Sequence, residues 1–218
     1  QERPVPEHPV VVTFDDGFAD FADGAFPVLE AHGVPSTLYV VGGHVGDRAT
    51  WLRGSSADRA MLDWSRLREM ADSGVEIGAH TLTHPHLDLV GRDEAWREIE
   101  VGREVLEAGL ERPVRTFAYP HGHYTGRVRR MVAAAGYESA CAVGHGLSSP
   151  GDDRYALTRI MVRHGDSVDQ LRRWLSGLDL TVNPAVRGRA RSLAGRQVRR
   201  VRLARKGRAT APDVSAAA

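Results

Sequence analysis

The sequence predicts an α/β fold in which β/α units surround a parallel sheet or barrel. Short apolar runs rich in β-branched residues recur along the chain, and segments with helical spacing of apolar residues lie between them. The first run ends abruptly in two adjacent carboxylates. Functional side chains of such folds gather at the carboxyl ends of the strands, so this end of the sheet is where a site is expected.

Six runs are typical of strands, at residues 10–14, 36–41, 75–78, 116–119, 138–143 and 157–162. The first, V-V-V-T-F, resembles a buried parallel strand. Apolar residues at helical spacing predict helices over residues 64–71, 96–110 and 128–135. Gly136 follows the third of these segments and is a suitable helix stop.

The composition indicates one sizeable globular domain. The chain has 218 residues, of which 42% are hydrophobic and 26% are charged, and no apolar run approaches the ~20 residues of a membrane span. The single cysteine, Cys141, excludes an internal disulfide framework. Its apolar setting, S-A-C-A-V, predicts a buried and inert thiol.

Charge is distributed unevenly and divides the chain into two parts. Residues 181–218 hold ten of the 29 basic residues and one of the 28 acidic ones. We therefore expect a catalytic domain over residues 1–180 and a basic tail over residues 181–218, helical around 187–205 and disordered at its end. The tail could bind an anionic surface or an acidic partner, or dock on the acidic body of the chain itself.

Asp15 and Asp16 are an unfavourable pair unless a cation lies beside them. One carboxylate can bind a metal ion while the other handles protons. Taken alone, Asp-Asp-Gly is more typical of a turn between a strand and a helix, and the motifs that follow reverse this preference. The next motif, His80-Thr-Leu-Thr-His84, also follows a predicted strand. One carboxylate and two imidazoles form a zinc-type site with an open position for water.

A third segment, F-A-Y-P-H-G-H-Y, again stands at the end of a predicted strand. Its Pro-x-Gly turn can direct the backbone N–H of His121 towards a developing oxyanion. A tight turn that merely closes the strand is the alternative.

The motifs T-F-D-D-G, T-H-P-H-L and F-A-Y-P-x-G, in this order, resemble the polysaccharide deacetylase family, also called the NodB-homology domain or carbohydrate esterase family 4. The resemblance covers roughly residues 9–178. It implies a distorted (β/α) barrel with about seven parallel strands, one divalent metal ion, most often Zn²⁺, and removal of acetyl groups from sugar polymers. It also implies an extracytoplasmic or cell-envelope location, although the sequence shows no signal or transmembrane segment; a nucleic-acid partner is not expected.

The resemblance also assigns roles to particular residues. Asp15 is the implied catalytic base, and the implied metal ligands are Asp16, His80 and His84. The His121 N–H is the implied oxyanion donor, and the residues expected to border the substrate are Tyr119, Pro120 and His121.

The sequence departs from the family pattern at several positions. Many members have an arginine at the position of Ala118, where it holds the catalytic aspartate, and Arg159 could supply the missing charge or form an unrelated ion pair. The histidine that serves many relatives as general acid has no counterpart in register. His164 lies near that position, and Asp15 could instead return the proton itself. His86 and His123 could border the site.

The function expected from these motifs is metal-dependent deacetylation of an N-acetylhexosamine polysaccharide that is chitin-like, poly-N-acetylglucosamine-like or peptidoglycan-like. One alternative keeps the metal site but hydrolyses another non-peptide C–N bond. The other is a catalytically silent glycan-binding domain. The presence of both carboxylates and both histidines argues against the silent domain, because a site freed from catalysis would lose a costly carboxylate pair.

Overall fold

Five parallel strands form one sheet in the computed structural model, which describes residues 9–180 and 195–200. The sheet curls into a half-barrel with helices, as expected for the predicted α/β class. Its strands are β1 (Val12–Phe14), β2 (Ser36–Val40), β3 (Glu76–Ala79), β4 (Thr116–Ala118) and β5 (Ser139–Cys141).

The strands are arranged in chain order, and each pairs in parallel with the next. The order never reverses, so the sheet has a barrel-type rather than a doubly wound arrangement. All five carboxyl ends therefore lie along the same edge of the sheet, and the residues that follow them are brought together.

The implied number of about seven strands is wrong for the described residues, which contain five. The run at 157–162 contributes a single parallel bridge from Leu157 to Cys141 rather than a strand. The first strand is also shorter and less buried than expected, since Val10 and Val11 are 58% and 72% exposed. Among the described residues, β1 pairs only with β2, so it is an edge strand of the sheet they form.

Helices alternate with the strands, and the three predicted ones are confirmed. They are α2 (Trp64–Asp72), α3 (Arg92–Leu110) and α4 (Gly126–Ala134), and α1 (Phe26–Ala31) and α5 (Val168–Leu175) accompany them. Asp63 caps α2 by accepting a hydrogen bond from Arg66 N at 2.8 Å. Gly136 has a φ of +87°, which fits the expected stop after α4.

The core lies between the sheet and its helices. Leu38, Leu67, Ile99 and Phe117 are fully buried there. Cys141 is buried as predicted, with its Sγ 3.3 Å from the Tyr39 hydroxyl.

The chain divides into two compact units. The first contains the residues up to Val143 together with Pro150–Leu157, and the second contains Gly144–Ser149 and the residues from Thr158 onward. In the second unit, Ser167 caps α5 by accepting a hydrogen bond from Gln170 N at 3.1 Å, and Trp174 packs edge-on against His145.

The predicted division of the chain at residue 180 stays a prediction. Most of the basic tail lies outside the described residues. The part of it that the structure does describe, residues 195–200, is helical. No described helix combines the length and the hydropathy needed to cross a membrane.

Candidate metal and catalytic site

Three strands of the first unit end at the candidate site. Asp15 and Asp16 follow β1, His80 follows β3, and Tyr119 and Pro120 follow β4. Because these strands are parallel members of one sheet, residues that are far apart in sequence meet at its carboxyl edge. The three sequence motifs are therefore parts of one location.

Asp16, His80 and His84 bring their ligand atoms within 4.8 Å of one another, and they are the one such group of three that the described residues contain. Asp16 Oδ1 lies 3.5 Å from His80 Nε2 and 3.2 Å from His84 Nε2. Two atoms bound at ~2.1 Å to one tetrahedral zinc ion are about 3.4 Å apart. The observed spacing therefore fits a single ion of that size.

A backbone carbonyl orients the first of these histidines. His80 Nδ1 lies 2.7 Å from the carbonyl oxygen of Ala118. A carbonyl only accepts hydrogen bonds, so Nδ1 carries the proton and Nε2 keeps its lone pair. Burial lowers the pKa of His80, although the charge of Asp15 opposes this shift. A neutral imidazole beside a carboxylate is suited to binding a metal and unsuited to an ion pair.

The loop between the two histidines is held by Glu98, a buried residue of α3. Its Oε2 accepts hydrogen bonds from the backbone N–H groups of Leu82 at 3.0 Å and Thr83 at 2.8 Å, and its Oε1 accepts one from the Thr83 hydroxyl at 2.7 Å. Sequence reasoning missed Glu98. It stands among many charged residues of a long helix, and only its burial, with 3% exposed, sets it apart.

Gly102 allows the same loop to lie directly on α3. A Cβ at this position would lie 2.8 Å from the carbonyl carbon of Thr81 and 2.9 Å from the nitrogen of Leu82. Both are backbone atoms, which cannot move aside without moving the loop. Glycine is unfavourable in the middle of a helix, and the close approach of the loop explains why one stands at position 102 of α3.

Four residues of the site have backbone conformations that are rare outside glycine. The values of φ are +77° at Asp16, +70° at Thr81, +64° at His84 and +59° at His121. Each such residue costs about 1–3 kcal/mol, and such strain clusters at functional sites. The surrounding hydrogen bonds, including His84 N to Thr81 Oγ1 at 3.0 Å, hold the loop in this conformation.

The turn after β4 leaves one N–H available. Gly122 N donates to Tyr119 O at 2.8 Å and His123 N donates to Pro120 O at 3.3 Å, while proline has no N–H. No acceptor for the His121 N–H is found within the described part of the chain. This is the group expected to bind the oxyanion.

Tyr119 supports the turn from inside the protein. Its side chain is fully buried, its hydroxyl donates to Tyr155 O at 2.8 Å, and its ring stacks on that of Tyr124. Pro120 is buried as well. This burial argues against the predicted contact of these two side chains with substrate.

Trp51 packs against the second histidine and was not identified from the sequence. Its ring stacks on that of His84, with centroids 5.0 Å apart and an interplanar angle of 28°. His84 Nδ1 is buried and has no hydrogen-bond partner among the described residues. The His84 ring is therefore oriented by stacking, in contrast to the hydrogen-bonded ring of His80.

Three further histidines form a row beside the site. The rings of His86 and His121 stack with centroids 3.8 Å apart, and His123 lies beyond His86 at 6.4 Å. His121 also contacts the ring of His84 edge-on. Partial burial, reinforced by His86 and His84, lowers the pKa of His121 to about 3. The imidazole of His121 is consequently neutral and can border a ligand without adding a positive charge.

Arg159 and His164 belong to the second unit of the chain. Within that unit, the carbonyl oxygen of Arg159 accepts a hydrogen bond from His145 N at 3.1 Å. The proposed support of Asp15 by Arg159 and the action of His164 as general acid stay predictions.

Comparison with known proteins identifies relatives of this chain. The family model described as polysaccharide deacetylase matches residues 2–140. A chitooligosaccharide deacetylase of Sinorhizobium fredii is 33% identical over 129 residues, which cover 58% of this chain and 53% of that protein. A poly-beta-1,6-N-acetyl-D-glucosamine N-deacetylase of Staphylococcus aureus is 22% identical over 178 residues, covering 78% of this chain and 59% of that protein.

The fold has a solved counterpart in IcaB from Ammonifex degensii. The two align with a TM-score of 0.64 and 28% identity, over 76% of this chain and 72% of the other. The chain spans little more than half the length of the curated relatives that it matches.

Proposed function

The chain belongs to the polysaccharide deacetylase family, and from this premise we propose that it hydrolyses N-acetyl groups of an N-acetylhexosamine polysaccharide. One observation carries the proposal: Asp16, which follows Asp15 in the chain, converges with His80 and His84 on a position at which one metal ion would fit. The relatives named for chitooligosaccharide and for poly-N-acetylglucosamine support a substrate built of N-acetylglucosamine. Action outside the cytoplasmic membrane stays a prediction.

The metal would be held by Asp16 Oδ1 and by the Nε2 atoms of His80 and His84, and Zn²⁺ is the ion we propose. When bound, such an ion lowers the pKa of water and polarises a carbonyl group. Asp15 accepts the proton of the attacking water, and the bond from water oxygen to the acetyl carbon forms. The His121 N–H donates to the carbonyl oxygen as negative charge develops on it.

Breakage of the C–N bond then requires a proton on the leaving nitrogen. Asp15 holds the proton taken from water and can return it there, so that amide and water become amine and acetate without another acid. Ala118 carries no charge with which to steady Asp15, and support of Asp15 by Arg159 stays a prediction from the sequence, as does the alternative that Arg159 forms an unrelated ion pair.

The experiment that tests this proposal combines metal analysis with acetate release from chitin oligosaccharides and from poly-β-1,6-N-acetylglucosamine. Asp15→Asn should retain the metal and lose activity by about 100-fold or more, as expected for removal of a general base. Asp23→Asn changes an exposed carboxylate of the short helical segment Phe21–Ala25 after β1 and is the matched control. Full metal-dependent activity of Asp15→Asn would refute the mechanism.

A further inference from the structure

A second concave feature of the first unit opens between α3 and α4. The cavity measures about 640 Å³ and is lined by Arg92, Asp93, Trp96, Arg127, Arg130, Met131 and Ala134. Pockets that hold small ligands have volumes of roughly 300–1,000 Å³. None of its lining residues belongs to the metal and catalytic site.

Three arginines and a single carboxylate, Asp93, line this cavity. Arg92, Arg127 and Arg130 form no ion pair within 4.0 Å with any residue in the ranges 9–180 and 195–200. Arg127 Nη2 makes one long hydrogen bond, 3.3 Å, to the carbonyl oxygen of Val90. Asp93 offsets one charge, so the lining remains positive.

The positive charges of this lining repel one another. Arg127 and Arg130, both exposed, are three residues apart on α4, and like charges at that spacing repel each other. Residues 1–180 hold 27 of the 28 acidic side chains, but Asp93 is the carboxylate that lines the cavity. An anion in the cavity would relieve the repulsion and satisfy the fork geometry of the guanidinium groups.

An apolar surface lies next to these charges. Trp96 is four residues after Arg92 and therefore on the same face of α3, and Met131 of α4 is buried beside the cavity. Trp96 is only partly buried. A sugar ring has C–H groups on its faces that pack well on an indole. Indole and guanidinium together therefore suit a ring that carries a negative group.

The helix starts that line the cavity lie at the edge of the sheet that holds the candidate metal ligands. α3 begins eight residues after His84, and α4 begins five residues after His121. In β/α units the helix that follows a strand starts at the strand's carboxyl edge. Arg92 and Arg127 stand at the starts of these helices. They therefore lie at the same edge of the sheet as the metal and catalytic site.

We propose that this cavity, the arginine cleft, binds an anionic sugar residue of a glycan. The guanidinium groups hold a carboxylate or phosphate, and the ring packs on Trp96. The proposal rests on the proposed function for the identification of the ligand as a glycan. It extends that function, because a polymer bound there carries acidic groups among its N-acetylated sugars.

The test titrates the full chain with three probes: a hexasaccharide of alternating glucuronate and N-acetylglucosamine, N-acetylglucosamine 6-phosphate, and a neutral N-acetylglucosamine hexasaccharide. Affinity is measured by calorimetry, and the indole N–H resonance of Trp96 is followed by NMR. At least one acidic probe should shift that resonance and bind more tightly than a neutral sugar. Tighter binding of the glucuronate hexasaccharide would identify the anionic group as a carboxylate, and tighter binding of N-acetylglucosamine 6-phosphate would identify it as a phosphate.

The double variant Arg127→Gln/Arg130→Gln should weaken binding of the acidic probe by about tenfold or more, as expected for lost charge-assisted hydrogen bonds. Arg97→Gln, an exposed arginine of α3 outside the cleft, is the matched control and should not alter binding. Equal affinity for acidic and neutral probes, an unmoved Trp96 resonance, or an equal loss in Arg97→Gln would overturn the proposal. Because the titration does not depend on acetate release, a failure of the proposed deacetylation would leave its result intact.

Discussion

Replacing Glu98 with alanine tests whether a buried carboxylate of α3 shapes the loop that carries both metal-ligand histidines. The substitution removes three hydrogen bonds, two of them from the backbone of Leu82 and Thr83. Leu82 N also donates to the backbone carbonyl oxygen of residue 98 at 3.0 Å, which alanine keeps, so only the Thr83 N–H is left without an acceptor. A hydrogen bond to a charged group contributes ~1.5–3 kcal/mol, and a buried donor left without an acceptor costs ~1–3 kcal/mol. Allowing for partial relaxation, we expect a loss of about 2–4 kcal/mol in the free energy of unfolding.

Glutamine at position 98 separates the shape of the contact from its charge. Its carbonyl oxygen can accept from both backbone N–H groups, and its amide can donate to the Thr83 hydroxyl, which also serves as an acceptor. Glu98→Gln should therefore lose about 1 kcal/mol, because only the charge-assisted part of the hydrogen bonds disappears.

Urea denaturation of the metal-free protein measures these differences, and a metal-binding titration measures the effect on the site. Glu98→Ala should weaken metal affinity by about 10–100-fold, as is usual for groups that orient metal ligands. Glu104→Ala, an exposed glutamate of the same helix, should change stability by less than about 0.5 kcal/mol. If Glu98→Ala were as stable as Glu104→Ala, the loop would be held by something other than this carboxylate.

Three further predictions concern the same region. Gly102→Ala should destabilise the fold by about 1–3 kcal/mol, because its Cβ would meet the backbone of the histidine loop. Helix propensity alone predicts the opposite, a gain of ~1 kcal/mol in stability. Urea denaturation decides the sign of the change, and Gly126→Ala, at a less crowded position, is the control. Trp51→Ala should weaken Co²⁺ binding and alter the Co²⁺ absorption spectrum, since stacking orients His84; an unchanged spectrum and affinity would contradict this. The metal-free protein should lose stability as the pH falls from about 6.5 towards 3, because His121 takes up a proton in the unfolded chain before it does so in the folded one. His121→Asn should flatten this dependence, and an equally steep profile in thermal denaturation would count against the lowered pKa.

The sequence was informative about the alternation of elements and less so about their extent. Apolar spacing located α2, α3 and α4, and the first five predicted runs overlap the five strands. The run at 157–162 is also apolar and rich in β-branched residues, but it contributes only the bridge from Leu157 to Cys141 among the described residues. Composition cannot tell whether a partner strand is within reach, because strand pairing depends on residues that are distant in the chain.

The sequence by itself identified the residues that are candidates for the chemistry of the site. Asp15, Asp16, His80 and His84 stand directly after strand-like runs, and parallel strands bring such positions to one edge. Motif spacing is a local property and is visible without a structure. Only the tertiary structure revealed what holds the site: the Ala118 carbonyl on His80, Glu98 and Gly102 under the histidine loop, and Trp51 on His84. These are ordinary residue types whose roles arise from burial and close approach, and both depend on how distant segments of the chain pack together.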